Sequence, residues 1–281
     1  MSRTRIAEFE VGRPTEGVFA VTRKTKMRSR NGDPYLVLEL SDTTGRIEGR
    51  VWQNADYFDR NIQPGDHVLA VGKPVLFRDE VQFDIRRLDR EDGAIEESFI
   101  PAARRELDEL VSELDFLIDE LEHPELRALV EAVWRGPERE LLVKSPATVA
   151  DHHSYLGGLV EHTIAVAAVC LTAAERHEGI DRELLLAAAL LHDVGRAREI
   201  TVGQQLELDQ AGALYGHVLL GHELVLAAAG RARIDTTTAA WWAPLVHAVS
   251  QHHGPVERCR TREAVILATA NTLDARLAGR M

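Results

Sequence analysis

The spacing of apolar residues changes at about residue 105, and this change constrains the fold more than any other feature of the chain. Before it, short runs rich in Val, Ile, Leu and Phe are separated by Gly, Asp, Asn and Pro, which is typical of strands joined by tight turns. After it, apolar residues recur every three or four positions, as in helices that bury one face. The 281 residues suffice for two domains, and the pattern predicts one of each kind.

The first segment contains five strand-like runs with a short helix-like run, NADYFDRNIQPGD, between the third and the fourth. The runs are EGVFAVTRK, PYLVLELSD, RIEGRVW, GDHVLAVGKPVLF and EVQFDIRRL. This is the element order of an OB-fold barrel, although periodicity alone also fits other small barrels. We therefore predict an all-β OB-fold domain over 1–90, a linker over 91–104 and an all-α domain over 105–281.

The second segment predicts helices throughout, because apolar residues follow helical spacing from residue 107 onwards. We expect these helices at about 107–121, 125–134, 156–177, 182–194, 211–230, 238–252 and 262–277. In the run LLLAAALLHDVGR (184–196) we expect Gly195 to end the helix.

Charge is divided unevenly between the two segments. Residues 1–90 carry 16 basic and 14 acidic side chains, whereas 91–281 carry 17 and 31, which indicates different partners for the two domains. The N-terminus has no apolar leader, and no unbroken apolar run exceeds the eight residues of 184–191, which is shorter than the ~20 residues of a membrane span. With two cysteines and no disulfide framework, the chain is predicted to be cytoplasmic and to have no membrane partner.

A basic run, RKTKMRSR at 23–30, is expected at the end of the first strand and in the loop that follows it. OB-folds bind single strands with basic grooves and with aromatic rings that stack on bases. Predicted nucleic-acid contacts are Arg23, Lys24, Lys26, Arg28, Arg30, Tyr35 and Trp52, with Phe83 as a further candidate ring. The alternatives are a solvated loop for the basic run and a place in the barrel core for the rings.

Ten of the 12 histidines lie between residues 152 and 253. A single histidine on a helix is usually solvated or hydrogen-bonded, but His192 and Asp193 follow a helix that is apolar on every side. Burying both costs free energy unless each has a partner. A metal ion would be a partner for both, and other histidines from neighbouring helices would complete its site.

These residues resemble a known family. The motifs HHSYLGGLVEHT (152–163), LLHDVGR (190–196), YGHVLLGHE (215–223), SQHHG (250–254) and NTLDAR (271–276) are similar to those of HD-domain phosphohydrolases, and specifically of the YhaM-type 3′→5′ exoribonucleases. The resemblance covers nearly the whole chain. It implies an OB-fold followed by a metal-dependent HD domain that releases nucleoside 5′-monophosphates from single-stranded RNA or DNA.

The resemblance also implies roles for particular residues. His162, His192 and Asp193 would bind a first metal, His217 and His252 would extend the site to a second, and His253 is a further candidate ligand. Asp193, Arg196 and His217 would act in catalysis, with Arg196 gripping phosphate, and His153 would support the ligands from outside. Mn²⁺ is the first choice of metal, and Mg²⁺, Co²⁺, Fe²⁺ or Ni²⁺ are alternatives.

The chain departs from the family pattern where an aspartate usually closes the site. Asn271 stands at that position, and Asp274 lies one helical turn further on, so either could be the remaining ligand. Two other functions stay open. One is hydrolysis of nucleotides or cyclic dinucleotides, and the other is nucleic-acid binding with weakened catalysis.

Overall fold

A computed structural model describes residues 4–29, 31–91, 99–101, 103, 105–203 and 206–278. The chain forms two compact units that divide near residue 102. The first contains a closed five-stranded barrel and the second contains helices, which confirms the predicted fold class. Arg30 and residues 92–98 of the predicted linker lie outside the described residues.

The barrel has the predicted element order. It consists of β1 (Thr15–Arg28), β2 (Pro34–Asp42), β3 (Gly45–Val51), α1 (Ala55–Asn61), β4 (His67–Phe77) and β5 (Glu80–Arg90). The strands close in the order β1-β2-β3-β5-β4, with β3 and β5 parallel and the other pairs antiparallel. Phe19, Leu38 and Phe83 lie in its buried core, so Phe83 is a core residue and not a stacking surface.

Residues 23–28 of the basic run belong to a strand rather than to a loop. β1 continues to Arg28 and pairs with β2 up to Pro34, four residues beyond the predicted end of the first strand. The prediction of a basic loop was therefore wrong in its placement. Alternating residues of a strand face opposite sides, so Arg23 faces the side opposite to Lys24, Lys26 and Arg28.

The helical unit contains α2 (Leu107–Asp119), α3 (Pro124–Trp134), α4 (Arg139–Lys144), α5 (Gly158–Arg176), α6 (Arg182–Leu191), α7 (Arg196–Glu199), α8 (Gln210–Arg231), α9 (Trp242–Gln251) and α10 (Arg262–Ala278). All seven predicted helices are present. The all-α prediction missed α4, the single turn α7 and a two-stranded hairpin, β6 (Ile200–Val202) with β7 (Leu206–Leu208). Both hairpin strands are only three residues long, too short for a period of two to be recognised.

α6 lies at the centre of this unit, and residues 184–191 are all buried, as expected for a helix that is apolar on every side. Its last carbonyls still need hydrogen-bond donors. The indole of Trp134 donates to Leu190 (2.7 Å) and the imidazole of His192 donates to Ala189 (2.8 Å). The helix ends at Leu191, four residues before the predicted end at Gly195, because these side chains replace the next helical turn.

Two helices, α5 and α8, are long and apolar enough to cross a membrane by length and composition alone. Both contribute apolar side chains to the buried core of the helical unit, including Val166 and Leu224. Each also carries a buried histidine of the candidate site, His162 or His217. The apolar residues of both helices thus pack in the core of the helical unit.

Candidate metal centre

Asp193 lies at the centre of a buried cluster of histidines contributed by separate helices. Its Oδ1 is 3.2 Å from the Nε2 atoms of both His217 and His252. Its Oδ2 is 3.6 Å from Nε2 of His162 and 3.8 Å from Nε2 of His192. We call the His162, His192 and Oδ2 group the first lobe, and the His217, His252 and Oδ1 group, with His253, the second lobe. The fold thus brings together the residues that the motifs predicted.

The outer nitrogens of the histidines determine which nitrogen faces Asp193. His192 Nδ1 donates to the Ala189 carbonyl, and His252 Nδ1 donates to the Val249 carbonyl. In both cases the acceptor lies three residues earlier, at the end of α6 or α9. We assign the proton to Nδ1 from these partners, which leaves Nε2 as a lone pair directed into the cluster.

Carboxylates fix the other two histidines. His162 Nδ1 donates to Asp274 Oδ2 (2.6 Å), and His217 Nδ1 donates to Glu199 Oε1 (3.3 Å). Asp274 therefore lies on the outer side of His162, facing away from Nε2. This is the usual position of a carboxylate that orients a metal-bound imidazole.

These groups fit a divalent cation, because they cannot stabilise one another. His162 and His192 bring two Nε2 atoms within 3.1 Å, and burial lowers the pKa of His192 well below its ordinary value, so this imidazole is neutral. Asp193 is 2% exposed, and its Oδ1 has no hydrogen-bond partner among the described residues. Imidazole nitrogens with a carboxylate form a donor set for divalent transition metals, and the ligand atoms of each lobe lie within 4.8 Å of one another.

Charge around the cluster favours an ionised Asp193. Burial alone would raise the pKa of Asp193, but the guanidinium of Arg196 and the other neighbours outweigh it and hold that pKa well below its ordinary value. Arg196 Nε is 3.5 Å from Asp193 Oδ2, and Arg196 Nη1 donates to Glu199 (2.6 Å). Burial also opposes ionisation of Glu199, but the His217 hydrogen bond and Arg196 lower its pKa to about 2. Both carboxylates are thus available as anions at neutral pH.

The second lobe is the open side of the cluster. His253 is exposed, and its Nε2 lies 3.0 Å from His217 Nε2 and 3.4 Å from Arg196 Nη2. His162, His192 and His252 are at most 1% exposed. A ligand would therefore reach the cluster past His253 and Arg196.

The position of the second lobe is fixed by close contacts between the backbone at Gly195 and the backbone of α8. A Cβ at Gly195 would lie 1.9 Å from the His217 carbonyl oxygen and 2.4 Å from the Gly221 nitrogen, so α8 crosses directly over this glycine. Gly216, with φ 72° and ψ 159°, interrupts α8 just before His217. That conformation is essentially restricted to glycine, and it directs the His217 N–H to Glu199 (3.1 Å).

Asn271 is buried on α10, and its side-chain amide donates to the His252 carbonyl (3.3 Å). Its contact thus supports the backbone of a ligand in the second lobe. His153 reaches the cluster from outside through Asp274 (2.9 Å). His247 accepts a hydrogen bond from the Arg260 N–H (2.8 Å), and His222 lines an apolar cavity with Leu191 and Val249.

In the barrel, a separate cleft of about 680 Å³ has aromatic and basic walls. The rings of Tyr35 and Trp52 stack with centroids 4.6 Å apart. The Arg50 guanidinium lies 5.9 Å from the Trp52 ring and 5.0 Å from the Phe77 ring. Trp52 and Phe77 are 46% and 44% exposed. We call this surface the aromatic cleft, and Arg28 and Arg78 also line it.

Most of the predicted basic contacts lie differently. Lys24 Nζ donates to the carbonyls of Asp59 and Ile62, and Lys26 Nζ contacts the carboxylates of Asp56 and Asp59 (2.6 and 3.4 Å). Both lysines therefore bind α1 and its C-terminal end. Arg23 lines a second surface depression, outside the aromatic cleft. Arg28 shares the cleft with Tyr35 and Trp52.

The sequence did not indicate several residues of both sites. Glu199 lies in a single helical turn, α7, and nothing in its spacing links it to His217. Arg50, Phe77 and Arg78 come from β3, the end of β4 and the β4–β5 turn, which only the closed barrel brings beside Tyr35. A tryptophan directly after a strand was the one usable signal for this face.

Comparisons with known proteins agree with both units. The HD domain family matches residues 159–276, and the OB-fold nucleic acid binding domain family matches residues 20–89. Curated relatives named 3′-5′ exoribonuclease YhaM include one from Oceanobacillus iheyensis, 28% identical over 97% of this chain and 87% of the relative. Another, from Bacillus subtilis, is 26% identical over 95% of this chain and 87% of the relative.

Solved structures match the barrel weakly. The second OB-fold domain of replication protein A from Methanococcus maripaludis is 18% identical, covers 34% of this chain and all of its own, and has a TM-score of 0.28. A single-stranded DNA binding protein from Thermus aquaticus is 19% identical, covers 30% of this chain and 43% of its own, and has a TM-score of 0.27. Similarity this low carries no argument about function. The chain thus has an N-terminal OB-fold followed by a helical HD domain, and it is similar along nearly its whole length to proteins named 3′-5′ exoribonuclease YhaM.

Proposed function

We propose that the protein is a metal-dependent 3′→5′ exonuclease that hydrolyses single-stranded RNA, with DNA as a possible second substrate, to nucleoside 5′-monophosphates. The observation that carries this proposal is Asp193, whose two carboxylate oxygens each face a pair of histidine Nε2 atoms inside a buried cluster. Relatives named as exoribonucleases along 97% of the chain support the choice of reaction.

The metal ligands would be His162, His192 and Asp193 in the first lobe, and Asp193, His217, His252 and His253 in the second. Divalent ions held there would lower the pKa of water and neutralise charge on the phosphoryl group. Mn²⁺ is our first choice, since the donor set mixes imidazole with carboxylate. We propose that Asn271 holds the His252 backbone and that Asp274 orients His162, so neither side chain is needed as a ligand.

The chain's own residues would do the remaining work. Arg196 is held by Glu199 and lies beside His253 at the open edge of the second lobe, where its planar guanidinium could grip a non-bridging phosphate oxygen. Charge developing on that oxygen would be stabilised by a group already in place. His217, fixed through Glu199, would keep its Nε2 directed at the same region.

The barrel would bind the strand through the aromatic cleft. Exposed rings of Trp52 and Phe77 beside Arg50 combine the stacking surface and the positive charge that single-strand binders use. A substrate of one or two nucleotides would not need this surface, which favours a polynucleotide. A cytoplasmic location is part of the proposal.

The test is a cleavage assay with the full-length protein, Mn²⁺ and 5′-labelled single-stranded RNA, run beside nucleotides and cyclic dinucleotides. We expect a ladder that shortens from the 3′ end, that disappears with EDTA and with Asp193→Ala, and that survives in Asp108→Ala, an exposed aspartate in the first turn of α2. Intact RNA together with hydrolysis of the small substrates would instead support a phosphohydrolase of nucleotides or cyclic dinucleotides. Salt-sensitive RNA binding without any cleavage would support a nucleic-acid-binding protein.

A further inference from the structure

We propose that a chain of four hydrogen-bonded side chains, Asp274, His153, Tyr155 and Glu161, positions His162 and thereby sets the metal affinity of the first lobe. We call these four residues the Asp274 chain. The proposal rests on the metal centre proposed above. Tyr155 and Glu161 lie outside the clusters that could hold an ion, so their role would be to position another residue.

The inner link is a carboxylate oxygen shared by two imidazoles. Asp274 Oδ2 accepts from His162 Nδ1 at 2.6 Å and from His153 Nε2 at 2.9 Å. Because one oxygen holds both rings, the position of His153 influences how Asp274 meets His162. The His162 side chain is fully buried and that of Asp274 is 14% exposed, so little water can replace either bond.

The outer links lead back to the helix that carries His162. A 2.6 Å hydrogen bond joins His153 Nδ1 to the Tyr155 hydroxyl, which itself donates to Glu161 Oε2 at 2.6 Å. Glu161 directly precedes His162 in the first turn of α5. The chain therefore ties together the loop at 153–155, α10 and the start of α5, and these three segments fix His162 from its outer side.

The backbone of the loop indicates that this arrangement is enforced. His153 has φ 48°, a left-handed conformation that is unfavourable for a residue with a side chain. Its carbonyl accepts from the Ala147 N–H (3.0 Å), and a Cβ at Gly158 would lie 2.0 Å from that carbonyl oxygen. The glycine thus lets the loop close tightly on α5 with the His153 ring directed at Asp274.

The first lobe should depend on this chain more than the second. In the second lobe, His217 and His252 are oriented by Glu199 and by the Val249 carbonyl, neither of which contacts the Asp274 chain through a hydrogen bond among the described residues. Weakening the chain should therefore lower metal affinity at one position and leave the other unchanged.

The experiment is calorimetric titration of the chelator-treated full-length protein with Mn²⁺ alone, together with low-temperature electron paramagnetic resonance. The variants are Tyr155→Phe, which removes both hydroxyl links, and Asp274→Asn, with Tyr57→Phe in α1, an exposed tyrosine, as the matched control. We expect Asp274→Asn to weaken one Mn²⁺ position by about 10–100-fold and Tyr155→Phe by about 10-fold, the lower end of the range for outer partners of metal ligands. The spectrum of a coupled Mn²⁺ pair should give way to that of an isolated ion at equal loading.

The inference would be overturned if Tyr155→Phe bound Mn²⁺ at each position as tightly as the wild type does. It would also be overturned if a variant with an unchanged melting temperature lost the same Mn²⁺ affinity at both positions. If Tyr155→Phe does not fold, Glu161→Ala takes its place, since it removes the acceptor oxygen of the tyrosine. Weakening of one position supports the inference, and no change overturns it. If the wild type binds a single Mn²⁺ ion, the affinity for that ion is compared between the wild type and the variants in the same way. A wild type that binds no Mn²⁺ overturns the proposed function itself, so the two failures are distinguishable.

Discussion

The helical metal centre and the basic strand of the barrel both looked functional in the sequence, yet the fold treats them in opposite ways. In the metal centre, acceptor atoms face one another without donors, as Asp193 Oδ1 does. In the basic strand, Lys24 and Lys26 are paired with carbonyls and carboxylates of α1 and the residues after it. The comparison teaches that unmatched buried groups indicate a missing ligand, whereas a run of like charges need not be free to bind one.

The aromatic cleft is the barrel's counterpart to the metal centre. Arg50 lies near three rings, those of Tyr35, Trp52 and Phe77, and two of these rings are largely exposed. Exposed aromatic area of this kind is a common mark of a binding surface. The predictions below test whether each region depends on the contacts that distinguish it.

The largest effect is expected for Asp193→Asn, which preserves the shape of the side chain but removes its charge from the centre of both lobes. Loss of an outer partner already costs about 10–100-fold in metal affinity or activity, so we expect more than about 100-fold here. Nuclease activity and Mn²⁺ binding are the measurements, and Asp108→Asn is the control. Retained Mn²⁺ binding at both positions would show that Asp193 is not the bridging ligand.

Gly195→Ala tests whether the close crossing of α8 builds the second lobe. The new Cβ would meet backbone atoms of His217 and Gly221, which cannot move independently of the helix. Overpacking of this kind costs about 1–3 kcal/mol, measured by denaturant unfolding, and activity should fall as His217 shifts. Gly230→Ala lies in α8 with open space around the new Cβ. This control should leave activity unchanged and should leave stability unchanged or slightly raised. Equal behaviour of the two variants would contradict the proposed role of the crossing.

Trp52→Ala should weaken binding of single-stranded RNA by about 1–3 kcal/mol, the usual contribution of one stacked base. Fluorescence anisotropy with a short labelled oligonucleotide, in a metal-free buffer, measures this without cleavage. Tyr57→Ala removes a more exposed ring from α1 and should have little effect. If both variants bind RNA as the wild type does, the aromatic cleft is not the binding surface.

Acid should destabilise the helical unit partly through Glu199. Its pKa in the folded protein, about 2, lies below the ordinary value of 4.5. Its contribution to stability is therefore complete above pH 4.5 and is lost as the pH falls towards 2. In chelator-treated protein, Glu199→Gln should be less stable at neutral pH and should lose less stability between pH 5 and pH 3. An unchanged slope of unfolding free energy against pH would remove Glu199 from this role.

The smallest difference is expected between two basic residues of the barrel. Arg78→Ala, in the aromatic cleft, should weaken RNA binding and reduce the salt slope by about 1, as for one phosphate contact. Lys26→Ala should change the slope less, because the Lys26 ammonium is already neutralised by Asp56 and Asp59. Affinity measured across a range of salt concentrations decides between them, and a larger effect for Lys26 would restore the basic strand as the contact surface.

Much of the fold followed from local pattern. The barrel's element order along the chain and the seven predicted helices are reproduced, because each element buries one face and its apolar residues recur with the period of that face. The errors lie where pattern is short or absent. α4 has six residues and the hairpin strands have three, and α6 ends early because Trp134 and His192 satisfy its carbonyls.

The sequence by itself indicated candidate metal ligands and showed that two of them, His192 and Asp193, follow an all-apolar helix, where burial of a histidine and an aspartate requires a partner. Only the tertiary structure decided how they are used. It placed Asp274 on the outer nitrogen of His162, Glu199 on that of His217, and Asn271 on the His252 carbonyl. The physical reason is that helical periodicity fixes the face on which a side chain lies, whereas its hydrogen-bond partner comes from another helix whose packing no local pattern encodes.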